Sequence, residues 1–401
     1  MRVAVTGLGV VSAIGNDKES FWESLVYGRH GFRELSLVDT SVLSFTTGAE
    51  VTGLDLDAGF DEGSREALDR FARFWLLAAR EAVADSGLGF ELLTDAAVVT
   101  GSSLGGQTSQ DELFRQLYRE GRRRLSPFAV PRSMANAAAS QLSMEMAIEG
   151  PALTLSTACA SAAHALGLAY WMISRGMIER AIAGGSEAPF SLGHLKAWDS
   201  LRVMAPDLCR PFSKGRKGII LGEGGGALVL ESLELALERR ARVHAELVGF
   251  GMSSDAFHIT KPSARGAARA MRGALDDAGI DPDLVGYVNA HGTGTQLNDV
   301  TETRAIREVF GAHADRLLVS STKSMHGHAL GASGALEAVA TVLALERGVV
   351  PPTANYLERD PDCPLDFVPN EARHLIVPHA LSSSFAFGGL NAVLAFARWD
   401  G

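Results

Sequence analysis

Cysteine is scarce: the 401 residues hold three, Cys159, Cys209 and Cys363, an odd number without ligand-like spacing. That excludes a disulfide framework and a thiolate metal site, and makes a reducing compartment the default. No apolar stretch approaches the roughly 20 residues needed to cross a bilayer. The opening Met1-Arg2-Val3-Ala4-Val5-Thr6-Gly7 reads as a buried strand, lacking the basic region and cleavage site of a signal peptide. A soluble protein of the cytoplasm, with no membrane partner, is the expectation. Positive charge is also short: 37 Lys and Arg against 47 Asp and Glu leave −10. That balance argues against general affinity for nucleic acid or anionic lipid. Two basic clusters run against the trend, Arg122-Arg123-Arg124 and the group Arg210, Lys214, Arg216 and Lys217, and each is equally readable as a solvated face.

What the chain does have is apolar content, 46% of residues, enough at this length for a large core in two or three domains. It is also written twice. Val5-Thr6-Gly7-Leu8-Gly9-Val10-Val11-Ser12 is echoed by Leu247-Val248-Gly249-Phe250-Gly251-Met252-Ser253-Ser254. The helix end Ala79 to Leu88 is matched by Met271 to Ile280, each closing on a Gly suited to the left-handed C′ position. Strand-like segments follow, Ala96 to Thr100 and Val285 to Ala290, and each half ends in an apolar run behind paired glycines, at Gly224 to Leu230 and Gly388 to Leu394. Duplication with strand/helix alternation predicts an α/β fold of two similar halves, residues 1–240 and 241–401, with mixed sheets and helix layers between and around them.

The chemistry-bearing residues divide between the halves. Cys159 lies where the apolar strand-like run Pro151 to Leu155 gives way to a helix-like one, Ala160 to Ile178. The unpaired N–H groups and positive dipole end of that helix favour a thiolate, the reactive form of cysteine. His291, in Asn289-Ala290-His291-Gly292-Thr293-Gly294-Thr295, and His328, in Lys323-Ser324-Met325-His326-Gly327-His328, belong to the second half. Each alone reads as a buried hydrophobe or a core histidine. All three lie in small-residue strand-to-loop transitions where backbone can approach a ligand, and one nucleophile with two imidazoles implies acyl-thioester chemistry at the seam of the halves.

Other signals are weaker. Gly7-x-Gly9-x-x-Ser12 lacks the third glycine and the downstream acidic residue of a dinucleotide fingerprint. Gly222-Glu223-Gly224-Gly225-Gly226 lacks the Lys-Ser/Thr of a phosphate loop and reads as a tight hairpin. His326 and His328 have no carboxylate-rich or Cys-rich surroundings, so no metal is expected.

Val3 to Gly15, Thr157-Ala158-Cys159, Leu221-Gly222-Glu223-Gly224, Asn289 to Thr295, Ser321-Thr322-Lys323-Ser324-Met325 with Gly327-His328, and Ser384-Phe385-Ala386-Phe387-Gly388-Gly389 together resemble the motifs of the thiolase-fold β-ketoacyl-acyl carrier protein synthases. The resemblance runs end to end and points to the elongating type II branch. It implies a layered α-β-α-β-α fold in which Cys159 is acylated from an acyl carrier protein, with the oxyanion held by the N–H groups of Cys159 and Phe387. His291 and His328 would then donate hydrogen bonds to the malonyl thioester as carbon dioxide leaves, and the carbanion would attack the Cys159 thioester. Lys323 and Glu337 match positions that support the second histidine and decarboxylation; their plainer reading is an ordinary salt bridge. Thr293 and Thr295 would hold the pantetheine arm, Phe387 would gate the site, and Arg123, Arg124 and Arg202 would dock the acidic carrier. No bound cofactor is implied, because phosphopantetheine arrives on the carrier.

Departures from the family pattern are Ala386 and Leu390, where Gly and Thr are usual, His326 for Thr, and a short linker from Ser191 to Asp207. They point to a specialised ketosynthase of the polyketide or aryl polyene kind. A non-catalytic chain-length-factor partner would lack the nucleophile, and thiolases in general use a second cysteine near the chain end, whereas Cys363 sits in a loop-like Pro361-Asp362-Cys363-Pro364. The resemblance also implies a dimer, homodimeric or with a chain-length-factor homologue, pairing through Leu153-Thr154-Leu155.

Overall fold

The computed structural model describes all 401 residues. Its ten principal strands are β1 (Val3–Ser12), β2 (Ala97–Gly101), β3 (Ala152–Leu155), β4 (Arg180–Glu187) and β5 (Gly224–Ser232), then β6 (Ala245–Ser254), β7 (Val285–Asn289), β8 (Leu318–Ser320), β9 (His379–Phe385) and β10 (Leu390–Arg398). The first five lie in the order β1-β5-β4-β2-β3 and the second five in the order β6-β10-β9-β7-β8. Strand senses repeat as well. β2 runs parallel to β3 and β4 while β5 is antiparallel to β4 and β1, and the counterparts in the second half do the same. The halves join edge to edge where Val3, Ala4 and Val5 pair antiparallel with Leu247, Glu246 and Ala245.

Six helices fix the layers: α1 (Arg70–Ser86), α2 (Ser161–Ser174), α3 (Leu192–Leu201), α4 (Ala264–Ala278), α5 (Gln296–Phe310) and α6 (Ser333–Arg347). The sequence of α2, SAAHALGLAYWMIS, carries no Asp, Glu, Lys or Arg, and α6 is buried from Ser333 to Leu345. Helices apolar all round belong inside. Both pack on strands of the two halves at once and against each other, forming the middle layer. By contrast α4 sets Ala, Met and Leu on one face and Arg and Asp on the other, so it covers β6 and β10 from outside, as α1 covers β1 and β5. The expected α-β-α-β-α layering follows.

The repeated Gly-x-Gly has a packing cause. A Cβ at Gly7 or Gly9 would run into the carbonyls of Ala82 and Ala78 on α1, and one at Gly249 or Gly251 into those of Ala274 and Ala270 on α4. The near-fingerprint at Gly7 therefore serves helix-on-strand contact. The predicted helix stops hold: Gly87 and Gly279 cap α1 and α4 at φ 66° and 65°.

Two expectations need correcting. Gly222 to Gly226 is no hairpin: Gly224 opens β5, and the buried Glu223 carboxylate holds the approach extended by binding Arg70 and the N–H of Val51. The stretch from Ser191 to Asp207 is mostly α3 rather than linker. β3 stands at the edge of the sheet with Leu153 43% exposed.

Candidate active site

Cys159 ends a tight turn. Ala158 sits at φ 49°, a left-handed conformation that costs an alanine roughly 1–2 kcal/mol. The Ser161 hydroxyl holds that turn, accepting from the Thr157 N–H at 2.9 Å and donating to the Ala158 carbonyl at 2.6 Å. The thiol stands one residue before Ala160, the N-cap of α2, rather than at the cap itself.

Burial decides its resting state. The Cys159 thiol is pushed up to about 11 by burial, against the opposing pull of the Lys323 charge and the Phe387 N–H. The expected resting thiolate is thus replaced by a thiol that needs a base. An imidazole stands within reach of it: His328 Nε2 lies 3.1 Å from Sγ, and burial, aided by the Lys323 charge, keeps this ring neutral. On the far side of the ring, Nδ1 meets the Ser333 hydroxyl at 2.9 Å. A hydroxyl both donates and accepts, so either tautomer of His328 is satisfied.

His291 faces His328 edge-on, ring centroids 5.4 Å apart at 85°. Lys323 Nζ donates to its Nδ1 at 3.2 Å and pairs with Glu337, all fully buried. Lys323, expected beside the second histidine, therefore holds the first. With Nδ1 occupied as acceptor and the ring held neutral by burial, the His291 proton sits on Nε2. Burial raises the Glu337 carboxyl to about 7, opposed by Lys323.

The loop bearing His291 is pinned by two carboxylates that nothing in the sequence marked. Glu302 on α5 accepts the N–H groups of His291 and Gly292, both at 2.8 Å, and Asp299 accepts those of Gly294 and Phe212. Charged residues on a helix are normally solvated, so only the close turn of chain over α5 reveals them. Ser333 and Trp198 were missed likewise.

A cavity of about 300 Å³ opens onto Cys159, His291 and His328, and Thr293, Thr295 and Phe387 also line it. Phe387 leads a loop between β9 and β10 and is 38% exposed. Ala386 keeps negative φ and Leu390 packs against the core, so neither departure strains this conformation. Lys323 and Glu337 stand behind the histidines, outside the cavity. Arg123, Arg124 and Arg202 are exposed and make no ion pair, whereas three of the four residues of the second basic cluster are neutralised: Arg210 by Asp207, Lys214 by Glu358, and buried Arg216 by Asp299 and Asp360, with Lys217 left exposed. His326 points away from the cavity, its Nε2 on Thr322. Cys363 lies in a separate core cluster, removed from Cys159.

The family model for the beta-ketoacyl synthase N-terminal domain matches residues 1–236, and that for the C-terminal domain residues 244–357. The chain belongs to the β-ketoacyl synthase family. It is 46% identical over 401 residues to Nodulation protein E of Rhizobium meliloti (strain 1021), covering 99% of both chains. It is 40% identical over 409 residues to 3-oxoacyl-[acyl-carrier-protein] synthase 2 of Staphylococcus aureus (strain MRSA252), covering 100% of this chain and 99% of that protein. Among solved structures, the ishigamide ketosynthase/chain length factor superposes with TM-score 0.95 at 38% identity over 99% of each chain. A type II PKS acyl-carrier protein in complex with its ketosynthase gives TM-score 0.91 at 30% identity, over 100% and 99%.

Proposed function

We propose that this β-ketoacyl synthase catalyses decarboxylative condensation of a Cys159-bound acyl chain with malonyl-acyl carrier protein, lengthening the chain by two carbons. One observation supports this most: a nucleophile from the first half lies 3.1 Å from one neutral imidazole of the second half, a second imidazole faces that ring edge-on, and all three line one cavity. His328 Nε2 takes the thiol proton as Sγ attacks the incoming thioester, and returns it to the departing pantetheine sulfur. The N–H groups of Cys159 and Phe387 hold the oxyanion. Malonyl carrier then enters. Its C–CO₂ bond breaks, the electron pair moves into an enolate whose oxygen accepts from His291 and His328, and the carbanion attacks the Cys159 thioester, expelling the thiolate.

Thr293 and Thr295, at the cavity wall with hydroxyls 3.0 Å apart, are read as contacts for the phosphopantetheine arm that the carrier delivers. Arg123, Arg124 and Arg202 are read as its docking charges. The division at residues 1–240 and 241–401 is read as two thiolase-like halves, and the enzyme as cytoplasmic. For the partner subunit, the likeness to a ketosynthase/chain length factor and the exposed Leu153 on an edge strand favour a dimer through β3, with itself or with a homologue lacking the nucleophile.

The test is mass spectrometry of the protein mixed with a panel of acyl carriers and then malonyl carrier. An acyl mass on the Cys159 peptide that disappears as a 3-oxoacyl carrier two carbons longer forms is expected. Condensation at full speed by Cys159→Ser would refute the assignment.

A further inference from the structure

Opposite Phe387 stands Trp198, on α3 of the other half. The two rings stack with centroids 5.9 Å apart and planes 23° from parallel, and both line the cavity in front of Cys159. The stack thus bridges the seam at the mouth of the site. Its two sides are built differently. On the Phe387 side, Gly388 and Gly389 follow at φ 84° and 71°, left-handed positions that favour glycine, so the loop behind that ring carries no side chains to brace it. On the other side the indole is tied down: Trp198 Nε1–H donates to His194 Nε2 at 2.7 Å, from a residue one turn earlier on the same face of α3. A buried indole N–H needs an acceptor, and without one the ring gains freedom to turn about its side-chain bonds.

We propose that His194 and Trp198 form the fixed jamb against which Phe387 closes, so that Trp198 sets the width of the opening to Cys159 and the bulk of acyl group admitted. The inference rests on the reading of Phe387 as a gate. Only an unprotonated Nε2 can accept the indole proton, and burial pulls His194 down to about 4, leaving it neutral near pH 7. His194 is therefore a positioning residue acting through Trp198, and Trp198 a specificity-determining one.

The test is alkylation of Cys159 in the full chain by a small reagent, iodoacetamide, and a bulky one, N-phenylmaleimide, with peptide mass spectrometry separating Cys159 from Cys209 and Cys363. His194→Phe, which fills the space without an acceptor, is expected to raise the bulky-to-small rate ratio about fivefold. His194→Gln, whose amide oxygen can accept, should stay within about twofold of the parent. Trp198→Phe, which loses both the donor and part of the ring, should leak at least as much as His194→Phe, and the double variant should leak no more than Trp198→Phe alone, because the hydrogen bond is already gone. An unchanged ratio in His194→Phe, an equal leak in His194→Gln, or additive effects in the double variant would each overturn the proposal. Thiol alkylation needs no carrier protein, so a chain that fails to condense would refute the proposed function while leaving the gate result readable.

Discussion

Replacing Lys323 with Met separates the structural and chemical duties of one buried charge. Lys323 and Glu337 are both fully buried, and the ammonium has two partners, Glu337 Oε1 and His291 Nδ1. Removing it leaves Glu337 in the interior without its counter-ion, to stay an unpaired charge or to take up a proton and sit as a poorly bonded acid, a change that costs up to about 3–5 kcal/mol. Replacing the whole pair with apolar side chains is often neutral, so Lys323→Met/Glu337→Leu should recover most of that loss. Activity should not follow stability. Without the ammonium, His291 loses a charge-assisted hydrogen bond worth about 1.5–3 kcal/mol and is free to place its proton on Nδ1, away from the cavity. Malonyl decarboxylation should therefore fall roughly 10- to 100-fold in both variants. Urea midpoints report the first quantity and carbon dioxide release from malonyl carrier the second. A double variant as unstable as the single, or a single variant that decarboxylates at the parent rate, would refute the reasoning.

Three further outcomes are expected. Ser333→Ala removes the Nδ1 partner of His328 and should slow iodoacetamide alkylation of Cys159 about fivefold, with Ser333→Thr restoring it; equal rates would show that the hydroxyl does not support the base. Gly167→Ala drives a methyl into the ring of Phe250 where the middle-layer helix crosses β6, and thermal unfolding should show about 1–3 kcal/mol of lost stability. His244 lies between Asp85 at 2.9 Å and Glu346 at 3.0 Å: burial lowers its pKa, but the two carboxylates outweigh it and raise the pKa above the ordinary imidazole value. Its folded pKa being raised, the stabilisation is complete below pH 6.5 and fades as pH climbs through the folded value. Unfolding midpoints should drop from pH 6 to pH 9 in the parent, and that difference should shrink in His244→Gln.

Much of the site could be read from the chain because its chemistry depends on residue type. A lone cysteine between an apolar strand and an apolar helix, and two histidines among glycines, stand out without coordinates. The charge state of that cysteine did not: helix position favours a thiolate, but burial is a property of the surroundings, and it outweighs the nearby positive charge. Glu302 and Asp299 were hidden for a similar reason, since on a helix they look like solvated charges until a loop is laid across them.

The duplication, the helix stops at Gly87 and Gly279 and the layer each helix occupies were set locally, because backbone conformation and the angular distribution of apolar residues are properties of short segments. Which histidine Lys323 touches was decided by how the loops of the second half pack on one another, and that His328 meets Cys159 and Trp198 meets Phe387 was decided only when the two halves packed. Those contacts join residues as many as 189 positions apart, a separation over which no local pattern operates and only the mutual placement of layers does.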